Sequence, residues 1–267
     1  MVAKWVSIFA PPIAQRLNSL APGANLTQND IQPLMSLCSF ETLAHQKTSL
    51  WCWVFKSREY GQYEYWSDLE KYYYTGYVEF FLLESIRSCA TFRYGHPLGP
   101  VQGVGYVNEL IARLTGTAVQ DNTQTNHTIT SNPELFPLNR TIYADFTHDN
   151  EMGAIYSALG LFDDRKDQYF SAPVMDPTKP HKQRSWVTSK LTPFASRMVV
   201  ERLQCRQEYG QSETRIRILV NDAVVPLPFC GDSGDGICTL EAFVQSQVYA
   251  RETGIADWHK CFQGTQR

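Results

Sequence analysis

The chain has 267 residues, 43% of them apolar and 19% charged, enough apolar material for the packed core of one large domain or two small ones. With 24 Lys and Arg against 27 Asp and Glu the net charge is −3, which argues against a broad nucleic-acid or membrane-binding face. No apolar run reaches bilayer-spanning length; the densest, Phe80-Phe81-Leu82-Leu83, is closed off by Glu79 and Glu84.

In chain order, a helix is expected over residues 4–20, broken or bent at Pro11-Pro12. Pro22-Gly23 separates it from a second helix, N-capped by Thr27 with Asp30 three residues on. After a cysteine-bearing loop, residues 64–74 read as an aromatic amphipathic helix whose early acids, Asp68 and Glu70, complement the dipole. Tyr72, Tyr73 and Tyr74 belong to core and rim. Pro100 opens a helix over residues 101–114, where Gly103 and Gly105 allow close packing. The polar run 115–131 is a loop.

Beyond residue 136 strands mix with helices. Thr141, Ile142, Tyr143 and Phe146 are β-branched or aromatic, and residues 151–162 carry apolar side chains at helical spacing. His148 and Asp149 therefore fall where a strand ends and a helix begins. Helix N-termini attract anions, and ligands of α/β folds bind at the carboxyl ends of strands. A phosphate there is held by the His148 imidazolium while a protonated Asp149 serves the leaving oxygen. The plainer reading of the same residues is an Asp N-cap beside a half-buried His. A polar stretch over 165–192 follows, then strands over 197–204, 214–220 and 223–227, the last two flanking Asn221-Asp222, a hairpin signal. Thr239 caps a final helix to residue 251, with Glu241 in its first turn. There is no internal repeat.

The N-terminal dozen residues, interrupted by two prolines, do not make a secretion signal, and by that feature alone the chain reads as cytosolic. Three glycosylation acceptors, at Asn25, Asn126 and Asn139, and seven cysteines point to an oxidising compartment instead. Cys230 and Cys238 bracket a turn-rich loop suited to a local disulfide, and Cys38 and Cys52 form a second local pair. The His residues at 45, 96, 127, 181 and 259 show no His-x-x-x-His or Cys-x-x-Cys spacing, so neither metal nor cofactor is expected. No Gly-x-Ser-x-Gly elbow and no Gly-rich phosphate loop occurs.

The run Tyr143-Ala144-Asp145-Phe146-Thr147-His148-Asp149-Asn150 resembles that of the fungal phytases of the histidine acid phosphatase family. So do residues 5–17, 34–40, Leu98-Gly99-Pro100-Val101-Gln102-Gly103-Val104-Gly105-Tyr106, residues 108–114, Phe136-Pro137-Leu138-Asn139, residues 193–198 and residues 219–227. The segments follow the family's order over most of the chain. The resemblance implies an α/β fold, a mixed sheet flanked by helices with a helical cap domain, here over residues 1–130, and the remainder of the phosphatase domain over 131–267, incomplete at the N-terminus. It implies hydrolysis of small phosphomonoesters, inositol phosphates above all, at acid pH through a phosphohistidine, with His148 binding phosphate and Asp149 as general acid. It implies a secreted parent protein, with no nucleic-acid or membrane partner, and leaves the oligomeric state open.

Three departures qualify this expectation. The family's nucleophilic His lies in an Arg-His-Gly-x-Arg-x-Pro motif, and no such string occurs here; His96, in Arg93-Tyr94-Gly95-His96-Pro97, has the wrong order to replace it. The chain as given is therefore expected to be inactive, and the alternative reading is a non-catalytic pseudoenzyme or phosphate-binding remnant. Residues 77–93 interrupt two pieces that are nearly adjacent in the family and read as a retained intron. Lys71 matches a basic rim position of the substrate site, although Glu70 replaces one of the paired lysines of some relatives. The family positions corresponding to Cys205 and Cys261 pair with N-terminal partners, so these two are expected as orphans, with Cys89 the odd seventh.

Overall fold

Apolar residues recur at helical spacing from the first turn, and α1 (Val2–Leu20) buries Trp5, Phe9, Ala10, Ile13, Ala14 and Leu17. The expected break at Pro11 and Pro12 is absent: the helix continues through both. The prolines remove two backbone donors, and burial of Ile13, Ala14 and Leu17 beyond them holds the second half in place. The computed structural model describes residues 1–74, 98–163, 175–181, 184–206, 212–232 and 234–262. The suspected insertion at 77–93, Cys89 and His96 lie outside the described residues.

Helix α2 (Gln28–His45) starts as expected, with the Thr27 N–H and hydroxyl both donating to Asp30 Oδ2 at 2.7 and 2.6 Å. The Cys38–Cys52 disulfide ties it to the short α3 (Trp51–Val54). Helix α4 (Ser57–Tyr74) begins a full turn and more before the expected start, so Asp68 lies well inside it. The dipole reading of Asp68 is therefore wrong, because the macrodipole acts within the first turn. Its side chain is fully buried and receives Arg184 Nη2 at 2.5 Å and the Thr188 N–H at 2.6 Å. Tyr65 and Tyr73 donate their hydroxyls to the carbonyls of Asp176 and Met175 at 2.7 and 2.6 Å. These helices and residues 171–189 make one compact unit, Met1–Tyr73 with Ser171–Ser189.

The second unit comprises Tyr74–Phe170 and Lys190–Arg267. A 3-10 turn, Gly99–Gly103, leads into α5 (Val104–Thr115). The expected loop after it holds one helical turn, α6 (His127–Thr130), N-capped by Asn126. Helix α7 (Asp149–Leu159) then packs against the 3-10 turn and α5. Glycine at 103 permits that approach: a Cβ there would lie 2.5 Å from the Ala154 oxygen and 2.8 Å from the Ala158 Cβ.

After the single turn α8 (Thr188–Leu191) comes the sheet. Strand β1 (Met198–Arg206) pairs antiparallel with β2 (Ser212–Val220), from Met198 opposite Val220 to Arg206 opposite Ser212. β3 (Ala223–Val224) and β4 (Ile237–Thr239) share the other edge of β2, both antiparallel. The turn between β2 and β3 uses Asn221 at φ 48° and Asp222 at φ 67°, the left-handed pair that a tight hairpin needs. The Cys230–Cys238 disulfide closes the loop before β4. Thr239 Oγ1 accepts from the Ala242 N–H and caps α9 (Leu240–Ser246), after which a π-type turn and α10 (Gly254–Lys260) replace the single helix expected. The fold class is α/β as expected, while every strand pairing among the described residues is antiparallel rather than mixed.

Candidate active site

The strand expected over residues 141–147 does not form. A strand exists only where a neighbour takes its N–H and C=O groups, and the described sheet consists of β1 to β4, none of which pairs with this segment. Ile142 and Phe146 are instead 82% and 97% exposed. The helix start is where the sequence places it: His148, at φ −112° and ψ 166°, is the N-cap of α7, and its carbonyl accepts from the Met152 N–H at 3.0 Å. Asp149 is the first helical residue, its Oδ1 accepting from the Asn150 N–H at 3.0 Å, and Glu151 shares the first turn. Both members of the pair are exposed. The structure thus brings an imidazole and a carboxyl together at the positive end of an eleven-residue helix.

Beside this helix end is a cleft of about 480 Å³. Its lining includes Thr147 and Glu151 on either side of the pair, with Asp145, Tyr106 and Arg197 among the polar groups. Burial pushes the Tyr106 phenol up, the Asp145 charge adds to that, and Arg113 opposes it. Burial likewise raises the Glu109 carboxyl, against the pull of the Arg113 guanidinium. Arg113 itself meets Asp145 at 2.5 Å. Neither Arg113 nor Asp145 was marked by local sequence pattern. The one available signal was Arg113 as a cation in the last turn of α5.

Lys71 stands in the last turn of α4, half-buried, in the other compact unit from His148 and Asp149. Asn25, Asn126 and Asn139 are all exposed. Both expected disulfides form, while Cys205 is half-buried and Cys261 exposed, each as a thiol. Among the described residues no group of three or more His, Cys, Asp or Glu is placed to hold a metal ion. No described helix is long and apolar enough to cross a membrane.

Comparison with known proteins places the chain in a family. Residues 1–221 match the family described as histidine phosphatase superfamily (branch 2), and the chain belongs to it. It is 40% identical to Phytase A of Emericella nidulans over 268 aligned residues, covering 97% of this chain and 51% of that protein. It is 42% identical to Phytase A of Aspergillus awamori over 265, again covering 97% and 51%. The crystal structure of the phytase from D. castellii superposes with a TM-score of 0.67 at 22% identity, over 97% of this chain and 46% of that one, a likeness of fold. The likeness to phytases runs over nearly the whole of this chain. It spans about half the length of the curated relatives it matches.

Proposed function

We propose that this chain carries the phosphate-binding and proton-donating half of a phytase-type site for phosphomonoesters such as myo-inositol hexakisphosphate. The observation that carries the reading is the pairing of His148 as N-cap with Asp149 as first residue of α7. An anion at that end meets backbone N–H groups, the helix dipole and an imidazole. In the reaction implied by the family, a nucleophilic His attacks phosphorus and the P–O ester bond breaks. The bonding pair stays on the leaving oxygen, which takes the proton of Asp149. The phosphoryl group on His then passes to water.

The family's nucleophile sits in an Arg-His-Gly-x-Arg-x-Pro string, which residues 1–267 do not contain. The 267-residue chain by itself is therefore read as binding phosphate without turning over esters, and Lys71 as a further contact for a substrate phosphate. Two disulfides and three exposed glycosylation acceptors support a secreted, glycosylated protein. The test pairs calorimetric binding of inorganic phosphate and of inositol hexakisphosphate at acid pH with an assay of phosphate release. The expected result is saturable binding that His148→Ala abolishes, with no release. Release that depends on His148 overturns the claim of no turnover, and an absence of binding overturns the assignment of the site.

A further inference from the structure

Asp145 stands three residues before His148, in the segment that feeds α7. No described strand pairs with this segment, so it is not held by a backbone ladder. Arg113 reaches it from the last turn of α5. Its Nη1 donates to Asp145 Oδ2 at 2.5 Å and its Nη2 to Oδ1 at 3.3 Å, a two-pronged contact that fixes orientation as well as separation. The guanidinium carbon lies 4.9 Å from the Phe136 ring centroid and 5.1 Å from that of Tyr143, so two rings constrain its plane. Tyr143 belongs to the same segment as Asp145. Phe136 belongs to a small buried core with Ala112, Val119 and Leu138, and Ala112 immediately precedes Arg113 in α5. The guanidinium therefore joins a packed base to the stretch that presents His148.

We infer that Arg113, acting through Asp145, is a positioning residue for the His148–Asp149 end of α7. It sets where the phosphate-facing turn stands, and it touches no substrate itself. The functional part of this inference rests on the phosphate reading given above. A lysine could supply the charge but not the fork, so Arg113→Lys should recover only part of what Arg113→Ala loses.

The experiment measures two quantities on the whole chain: hydrogen–deuterium exchange of the peptides covering residues 141–152, without ligand, and the affinity for inorganic phosphate at acid pH. The variants are Arg113→Ala, Arg113→Lys and Asp145→Asn, the last leaving α5 and its core untouched. Exchange should rise in 141–152 and stay at the wild-type level in β1 and β2. Phosphate affinity should fall roughly ten- to hundredfold, the scale on which a displacement of about an ångström acts at a site. Unchanged exchange in 141–152 overturns the inference, as does a full recovery of both readouts in Arg113→Lys. If the wild-type chain does not bind phosphate, the site assignment fails, and exchange alone decides whether Arg113 positions the segment. If Arg113→Ala raises exchange everywhere, Asp145→Asn provides the deciding comparison.

Discussion

The two compact units each contain an arginine–aspartate pair joined across a long stretch of chain, and the pairs differ in burial. In the first, Asp68 has 0% side-chain exposure and Arg184 12%; in the second, Asp145 has 40% and Arg113 15%. An ion pair out of water leaves a costly orphan when one partner is removed, whereas an exposed pair contributes about 0–1 kcal/mol. The same chemistry therefore serves two ends. Asp68 and Arg184 fasten α4 to residues 184–188, with Arg184 also over the Tyr65 ring at 5.1 Å. Arg113 and Asp145, with the carboxylate 40% exposed, contribute less to stability than the buried pair, and the role inferred for them is to place a site.

The largest effect that separates the pairs is expected from Asp68→Ala. It removes the nearer carboxylate partner of Arg184, leaving Glu64 at 3.8 Å, and takes the acceptor from the Thr188 N–H, at a cost of about 3 kcal/mol, the lower end for a broken buried pair. Urea unfolding followed by tryptophan fluorescence measures this. A loss below about 1 kcal/mol would place Asp68–Arg184 in the same class as the exposed pair and remove the contrast. The second unit depends instead on close packing. Gly103→Ala forces a Cβ against the Ala154 oxygen at 2.5 Å, with a cost of about 1–3 kcal/mol. Gly105→Ala first meets the Gln124 side chain, 2.7 Å away at its nearest atom, which can turn aside by giving up its hydrogen bond to the Gln102 carbonyl. Thermal unfolding of the two variants should rank Gly103→Ala well below Gly105→Ala, and equal melting temperatures would show that the 3-10 turn and α7 can shift apart without cost.

What was legible in the sequence is what local chemistry decides. The Thr27–Asp30 cap, the Asn221-Asp222 turn, the Thr239 cap and both short-range disulfides all follow from residues close together in the chain. The start of α7 at Asp149 belongs with them. The errors lie where partners are remote. The β-branched and aromatic run at 141–147 states a preference for strand, but a strand also requires a partner, and no described strand pairs with it. Asp68 was taken for a dipole partner because its acceptor role depends on Thr188 and Arg184, more than a hundred positions on. Arg113 and Asp145 escaped notice for the same reason, since a pair 32 residues apart has no local signature.

The smallest effect distinguishes the units by the sign of a proton. Burial raises the Asp68 carboxyl above its ordinary 3.8, against the opposing bonds from Thr188 and Arg184. In the second unit, partial burial works against Asp232, but N–H groups of Leu227, Gly234 and Gly236 and a bond to Asp235 bring it down to about 2. A raised carboxyl binds its proton more tightly when folded, so its contribution is fully present below pH 3.8 and is lost as pH rises through the folded value. A lowered one contributes above pH 3.8 and loses that contribution as pH falls through about 2. Acid should therefore loosen the loop closed by Cys230 and Cys238 while leaving the Asp68 contact, by this criterion, no weaker. Carbon-13 NMR of the aspartate carboxyls would follow both groups at once, with Asp232 titrating near 2 and Asp68 above 3.8. Titration of the two at a common value would mean that backbone N–H bonds and burial do not pull these carboxylates in opposite directions, and the electrostatic half of the contrast between the units would fall.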